Sequence, residues 1–316
     1  MAKREHAPYR IGIYPVPGFA LLSYACTVEP LRAANLLSGR TLYEVVHFQP
    51  GTPSPSSGAA EVAGGMAVGE VPPLDLFLII AGGDPATITD KRLFNWLARL
   101  ARATPQIGGV SGGPVILAQA GLMDGRRMTV HWEHAPALAE LHPGLLLERR
   151  LFVIDRDRMT CGGGTAPLDL MHALITEHHG ADFARQVSDW FLHTDIRAAA
   201  APQRGGLSER LGTTSAPLLV AVGAMENHIA DPLSLSQLAG MAGVSQRQLN
   251  RLVVAKLGVP TMAFYRRLRL EAAQRLLTHS PLSLTEIALA TGFSSSAHFS
   301  RGFSEAFGRP PSSLRN

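Results

Sequence analysis

The sequence predicts a two-part chain: an α/β domain built on an open parallel sheet, followed by an all-helical domain carrying two helix-turn-helix units. Three observations carry that prediction. Strand-like and helix-like segments alternate over residues 11–195, as a parallel sheet covered on both faces requires. From Ala216 onward every periodic segment is helical. Within that helical part, residues 235–252 and 284–303 repeat one pattern.

The elements follow in order. Residues 11–16 form a short apolar run, broken by Pro17-Gly18, and a helical stretch continues to Leu36. Residues 43–48 read as a second strand. Residues 74–81 are the clearest buried strand, ending at Gly82-Gly83. An amphipathic helix spans 93–102, and a strand at 107–110 enters a Gly-rich turn before a helix over 115–120. A strand at 151–154 and a helix over 168–178 continue the alternation. Residues 198–215 turn to small, polar and breaker residues, predicting an interdomain connector between an α/β domain over 8–197 and a helical domain over 216–316.

The composition, 46% apolar and 17% charged, is that of a globular protein. The polar start, Met1 to His6, has no following apolar run of the kind a secretory signal needs, and no apolar stretch approaches the ~20 residues of a membrane span. Cys26 and Cys161 have no paired spacing, so neither a disulfide scaffold nor a zinc site is expected. No cofactor, no metal and a cytoplasmic location are the resulting expectations. Residues 216–316 carry a net charge of +5 and residues 1–215 one of −1, which places the basic excess in the helical domain. That asymmetry fits a module for double-stranded DNA joined to a neutral partner, although a solvated basic helical surface would show it too.

Each repeated segment places an apolar-Ala pair (Leu238-Ala239, Ile287-Ala288) in a short helix and turns at a glycine followed by one apolar residue (Gly243-Val244, Gly292-Phe293). A serine then caps a second helix with one apolar face: Leu249 and Leu252, or Phe299 and Phe303. Glycine allows the positive φ of a tight turn, alanine lets the helices cross closely, and the outer face of the second helix is left for the major groove. A long helix over 261–278, with Arg266, Arg267, Arg269 and Arg275, separates the two units. Such a spacer would hold two recognition helices about 34 Å, one DNA turn, apart.

This arrangement resembles the DNA-binding domain of the AraC/XylS family. The run from Gly292-Phe293 to His298-Phe299-Ser300-Arg301, followed by Phe307-Gly308-Arg309-Pro310-Pro311, is similar to that family's signature, with Thr291 where many members carry cysteine. The resemblance implies that Gln246, Arg247, Asn250 and Arg251 face the groove from the first recognition helix, and Ser296, Ala297, Ser300 and Arg301 from the second. Arg can grip guanine and Asn or Gln adenine, whereas short Ser and Ala side chains suit positioning better than readout.

In the first domain, Gly109-Val110-Ser111-Gly112-Gly113 matches the G-x-S-x-G elbow of serine hydrolases. A hydrolase would need a later acid and base; Asp155 or Asp169 with His172 or His193 occur in the right order, but a chain with 12 histidines supplies such residues by chance. Residues 10–195 also resemble the flavodoxin-like PfpI-type, class I glutamine amidotransferase-like domain. The features are residues 78–83, the elbow, residues 117–126 and Thr129-Val130-His131-Trp132. Catalytic members carry Cys at the elbow, commonly with His next; here Ser111 and Gly112 stand there, and Phe19-Ala20-Leu21-Leu22 replace the expected acid. A hydroxyl without an adjacent base is a poor nucleophile, so no catalytic residue is assigned.

The combined domains resemble GlxA-type regulators. Residues 131–133, 161–169, 196–197 and 203–204 are similar to the subgroup responding to glycine betaine, carnitine or arginine. The expectation is a sensor whose main-chain N–H groups at Gly83, Ser111 and Gly112 hold a carboxylate. Phe19 and Trp132 would face a methylated ammonium, Glu133 would neutralise it and His131 would line the site. The resemblance further implies a homodimer and an activator, for which RNA polymerase would be a partner. A DNA-binding architectural protein whose first domain only dimerises is a third reading.

Overall fold

The computed structural model describes residues 7–314; the polar start at 1–6 lies outside the described residues. The chain divides into two compact units, Met1–Gln203 and Arg204–Asn316.

The strands of the first unit are β1 (Tyr9–Pro15), β2 (Tyr43–Gln49), β3 (Ser54–Pro55), β4 (Glu61–Val62), β5 (Met66–Ala67) and β6 (Leu76–Ala81). They continue with β7 (Gln106–Ser111), β8 (Arg127–Met128), β9 (Leu146–Leu147), β10 (Phe152–Asp155) and β11 (Arg158–Cys161). Seven form one sheet in the order β10-β11-β7-β6-β1-β2-β5, parallel throughout except at the β10–β11 edge hairpin. β6, Leu-Phe-Leu-Ile-Ile-Ala, is buried along its whole length, as a central strand covered on both faces must be. Chain order reverses between β1 and β6, the position at which open parallel sheets place ligands beyond their carboxyl ends.

Six helices accompany these strands: α1 (Leu21–Ser38), α2 (Lys91–Ala103), α3 (Gly113–Gln119), α4 (Ala135–Leu141), α5 (Ala166–His179) and α6 (Ala181–Trp190). One apolar cluster joins Ile11, Ile13 and Leu78 to Leu170 and Leu174 of α5; another joins Phe48, Phe77 and Ile79 to Trp96 and Leu97 of α2. Every predicted strand and helix of this unit is present, with ends differing by a few residues. β11 and α4, four and seven residues long, are too short to show a period and were not predicted; α6, whose Phe183, Val187 and Trp190 do recur at helical spacing, was also missed.

The second unit contains α7 (Leu207–Leu211), α8 (Ala216–Asn227), α9 (Leu235–Met241), α10 (Gln246–Leu257), α11 (Thr261–His279), α12 (Leu284–Ala290) and α13 (Ser296–Phe307). Gly243 and Gly292 take the left-handed φ of +67° and +71° that both turns were expected to need. Ser245 caps α10 by accepting from Gln248 N while Gln248 returns a bond to Ser245 N; Ser295 caps α13 by accepting from His298 N. Phe293, Phe299 and Phe303 are buried together under the second helix pair.

The predicted connector at 198–215 is not a loose tether. Leu151 N donates to the carbonyls of Ala199 and Ala201, tying that stretch to the α/β unit. Residues 207–211 are helical, and Leu207 and Leu211 pack into the core of the second unit.

Candidate DNA interface and effector site

The exposed faces of α10 and α13 form the candidate DNA interface. Gln246, Arg247 and Arg251 are exposed on α10, and Ala297 and Arg301 on α13, with Ser296 and Ser300 half-buried beside them. None of the ion pairs among the described residues involves Arg247, Arg251 or Arg301. Arg266, Arg267 and Arg269 of α11 have partners within the unit instead. Arg266 pairs with Glu305 of α13 at 3.1 Å and Arg267 with Glu271 at 3.0 Å. Arg269 donates to the carbonyls of Thr291 and Gly292 and lies 4.3 Å over the Phe293 ring; its partial burial pulls its pKa down. The guanidinium thereby satisfies carbonyls left over at the end of α12 and stacks on an aromatic face.

Asn250 requires a correction. Its Oδ1 accepts from Thr261 N at 2.9 Å and from Thr261 Oγ1 at 3.1 Å, which caps the start of α11. Reading adenine would need that same oxygen. In this arrangement Asn250 Oδ1 is engaged at the start of the spacer helix. Thr291, the departure from the family pattern, is buried and donates its hydroxyl to Ile287 O at 2.6 Å, so the change is accommodated.

In the α/β unit, Ser111 ends β7 with φ +60°, the strained strand-to-helix turn that G-x-S-x-G predicts. Its glycines make that turn possible. A Cβ at Gly109 would stand 2.5 Å from Pro114 N, one at Gly112 2.9 Å from Pro85 Cγ, and one at Gly113 would strike Ile79 O. Gly163 packs against Ser111 so closely that a Cβ there would lie 2.9 Å from its Oγ, and Ser111 is only 6% exposed.

The triad candidates do not assemble. Asp155 lies in the β10–β11 hairpin, which enters β7 at Ile107, a strand length of about 13 Å from Ser111. His172 shares a hydrogen bond with Ser188 Oγ at 2.9 Å. Asp169 and His193 do meet, at 2.9 Å, but Asp169 is also gripped by Arg197 Nε at 3.0 Å and Nη2 at 2.7 Å. That buried group fastens the segment after α6 to α5. Cys161, fully buried nearby, has its thiol pushed up to about 12 by desolvation and is inert.

Two predicted effector contacts also need revision. Phe19 is 0% exposed, packed in the core against Tyr24, so it offers no face to a ligand. Gly112 N donates to Ala81 O at 3.0 Å and is not available to a carboxylate. Gly83 takes φ +59° two residues after the end of β6, whose Ala81 pairs with Ser111 of β7. His131 is drawn to the elbow by its N–H, which donates to Ser111 O at 3.3 Å, and its ring lies 5.4 Å from that of Trp132. Glu133 carboxylate stands 3.9 Å from His131 Nδ1.

Gln203 was not singled out as a site residue. Its Oε1 accepts from Trp132 N at 2.8 Å, and its Nε2 donates to Thr129 Oγ1, Val130 O and Arg150 O at 3.0, 2.9 and 2.6 Å. Residues 203–204 stood in the sequence only as part of the subgroup resemblance; one polar residue in an Ala- and Pro-rich stretch carries no periodic signal, so its contacts come from the fold.

Comparison with known proteins matches residues 238–316 to a helix-turn-helix domain family and residues 33–177 to the DJ-1/PfpI family. The HTH-type transcriptional regulator GlxA of Rhizobium meliloti is 48% identical, covering 97% of this chain and 95% of its own. The HTH-type transcriptional regulator CdhR of Pseudomonas aeruginosa is 38% identical over 95% of this chain and 89% of its own. A crystal structure of an AraC family transcriptional regulator from Pseudomonas putida superposes with a TM-score of 0.51 at 25% identity, covering 58% of this chain and 100% of that one. A THiJ/PfpI family protein from Pseudomonas syringae shares the fold, with a TM-score of 0.53 at 22% identity over 75% of this chain and 91% of that one. The full-length relatives are regulators, which supports the non-catalytic reading of Ser111 over the hydrolase alternative. The chain belongs to the GlxA-type regulators of the AraC family, which join a DJ-1/PfpI-type domain to a helix-turn-helix DNA-binding domain.

Proposed function

We propose that this regulator reads DNA mainly through Arg247 and Arg251 of α10, with Gln246 beside them, and anchors the site through Ser296, Ala297, Ser300 and Arg301 of α13. The observation that carries this reading is the division of arginines. Arg266, Arg267 and Arg269 of α11 have partners within the unit, whereas Arg247, Arg251 and Arg301 stand exposed on the two recognition helices. Hydroxyl-radical footprinting on a site selected from random duplexes tests it. Two protected backbone segments, about one turn apart, are expected for each DNA-binding unit; protection of a single segment would refute the paired docking.

The α/β domain acts as the sensor. A small effector, a quaternary amine or amino acid, sits beside the elbow against Ser111, Gly83, His131, Trp132 and Glu133. Trp132 supplies an aromatic face, and Glu133 supplies negative charge for a cationic group. The protein works as a cytoplasmic homodimer and as an activator in contact with RNA polymerase. A thermal-shift screen of amines, betaines and amino acids tests the sensor: a ligand at about 100 Kd adds roughly 2.7 kcal/mol of stability. No shift from any member, or one that persists with Trp132→Ala, would contradict the assignment.

A further inference from the structure

We propose that Gln203 is a latch that couples the wall of the sensor site to the length of chain on which the DNA-binding unit is held. The inference rests on the sensor reading above for the identity of that wall, but its physical content stands on the contacts of Gln203.

The carboxamide behaves as an internal ligand. It uses both functional ends, accepting from Trp132 N and sharing its two N–H bonds among three oxygens on Thr129, Val130 and Arg150. The space it occupies exists because residue 162 is glycine: a Cβ there would stand 2.7 Å from Gln203 Cδ and Nε2. Gly162 is followed by Gly163, which packs on Ser111, and Trp132 follows His131, whose N–H reaches Ser111 O. Any ligand that shifts Trp132 or the 162–163 turn therefore disturbs the seat of Gln203.

Gln203 is also the last residue of the first unit. Upstream, the strap is fixed at Arg197 by Asp169 and at Ala199 and Ala201 by Leu151 N. With the latch closed, only residues 204–206 separate Gln203 from α7, a reach of about 10 Å even when fully extended. Opening the latch and the Leu151 bonds frees the chain back to residue 198 and raises the limit to about 30 Å. A threefold longer tether relaxes the distance at which two DNA-binding units of a dimer can engage DNA together.

Two variants open the latch from opposite sides. Gln203→Met keeps the length and removes the hydrogen bonds; Gly162→Ala leaves Gln203 intact and fills its seat. In the full-length protein, amide exchange at Trp132 and over residues 198–206 should rise about tenfold or more in both, with exchange in the sheet core unchanged. On operators built from two copies of the selected site, both variants should bind over a wider range of separations than wild type, with unchanged affinity for one copy. Faster exchange with an unaltered range would overturn the coupling, and unaltered exchange would overturn the latch itself. A wild-type protein that selects only single sites would count against the homodimer proposed above, while the exchange rates would still decide the latch.

Discussion

At the residue scale, the division of labour on α10 turns on which polar atoms are already engaged. Asn250 and Arg251 are neighbours of similar promise in sequence, yet Asn250 is committed to Thr261 and Arg251 projects outward. Asn250→Ala should therefore cost about 0.5–2 kcal/mol of stability, as loss of a helix cap does. Chemical denaturation of the variant checks this, and the bases selected by the protein should not change. A relaxed base preference at full stability would restore Asn250 as a reader. Ser111→Ala should leave DNA binding and fold intact, since the hydroxyl serves no triad. A loss of any esterase or amidase turnover in that variant would reinstate the enzyme.

At the scale of elements, the two turn glycines look equivalent in sequence and are not equivalent in the fold. A Cβ at Gly243 meets nothing within 4 Å, but one at Gly292 lies 2.7 Å from Pro232 Cδ and 2.8 Å from Ile229 O. Gly243→Ala should cost only the left-handed strain of about 1–2 kcal/mol, and Gly292→Ala distinctly more; equal losses on urea denaturation would contradict this packing. The pattern shared by the two units was legible because turn chemistry is local. The difference between them arises where Gly292 meets the loop after α8, more than fifty residues away, which no local signal encodes. The same holds for histidines. His47 on β2 and His172, His178 and His179 on α5 all have pKa values lowered below 6.5, chiefly by burial. Because burial favours the neutral form, their contribution is present above pH 6.5 and is lost as pH falls through the depressed values. The α/β unit should melt at lower temperature at pH 5.5 than at pH 7, and a flat profile would argue that these rings stay hydrated.

At the scale of the whole molecule, the strands, the paired helix-turn-helix units and the charge asymmetry were readable from the chain, because each is a periodic or compositional signal. The contacts within the first part of the connector were not. Residues 198–203 look like a linker by composition and fold as part of the first unit, held by Leu151 and by the four contacts of Gln203. The effector contacts were legible only as motifs: the elbow geometry appeared as expected, whereas burial removed Phe19 and a main-chain bond removed Gly112. The proposed mode of DNA reading rests on the exposed arginines of the second unit. The most direct measurement is an electrophoretic mobility shift on the selected site with Arg251→Ala beside Ser111→Ala. A bidentate base contact is worth about 1–3 kcal/mol, so Arg251→Ala should weaken binding by roughly 5- to 150-fold while Ser111→Ala binds as wild type. Unchanged affinity and sequence preference with Arg251→Ala would contradict the account.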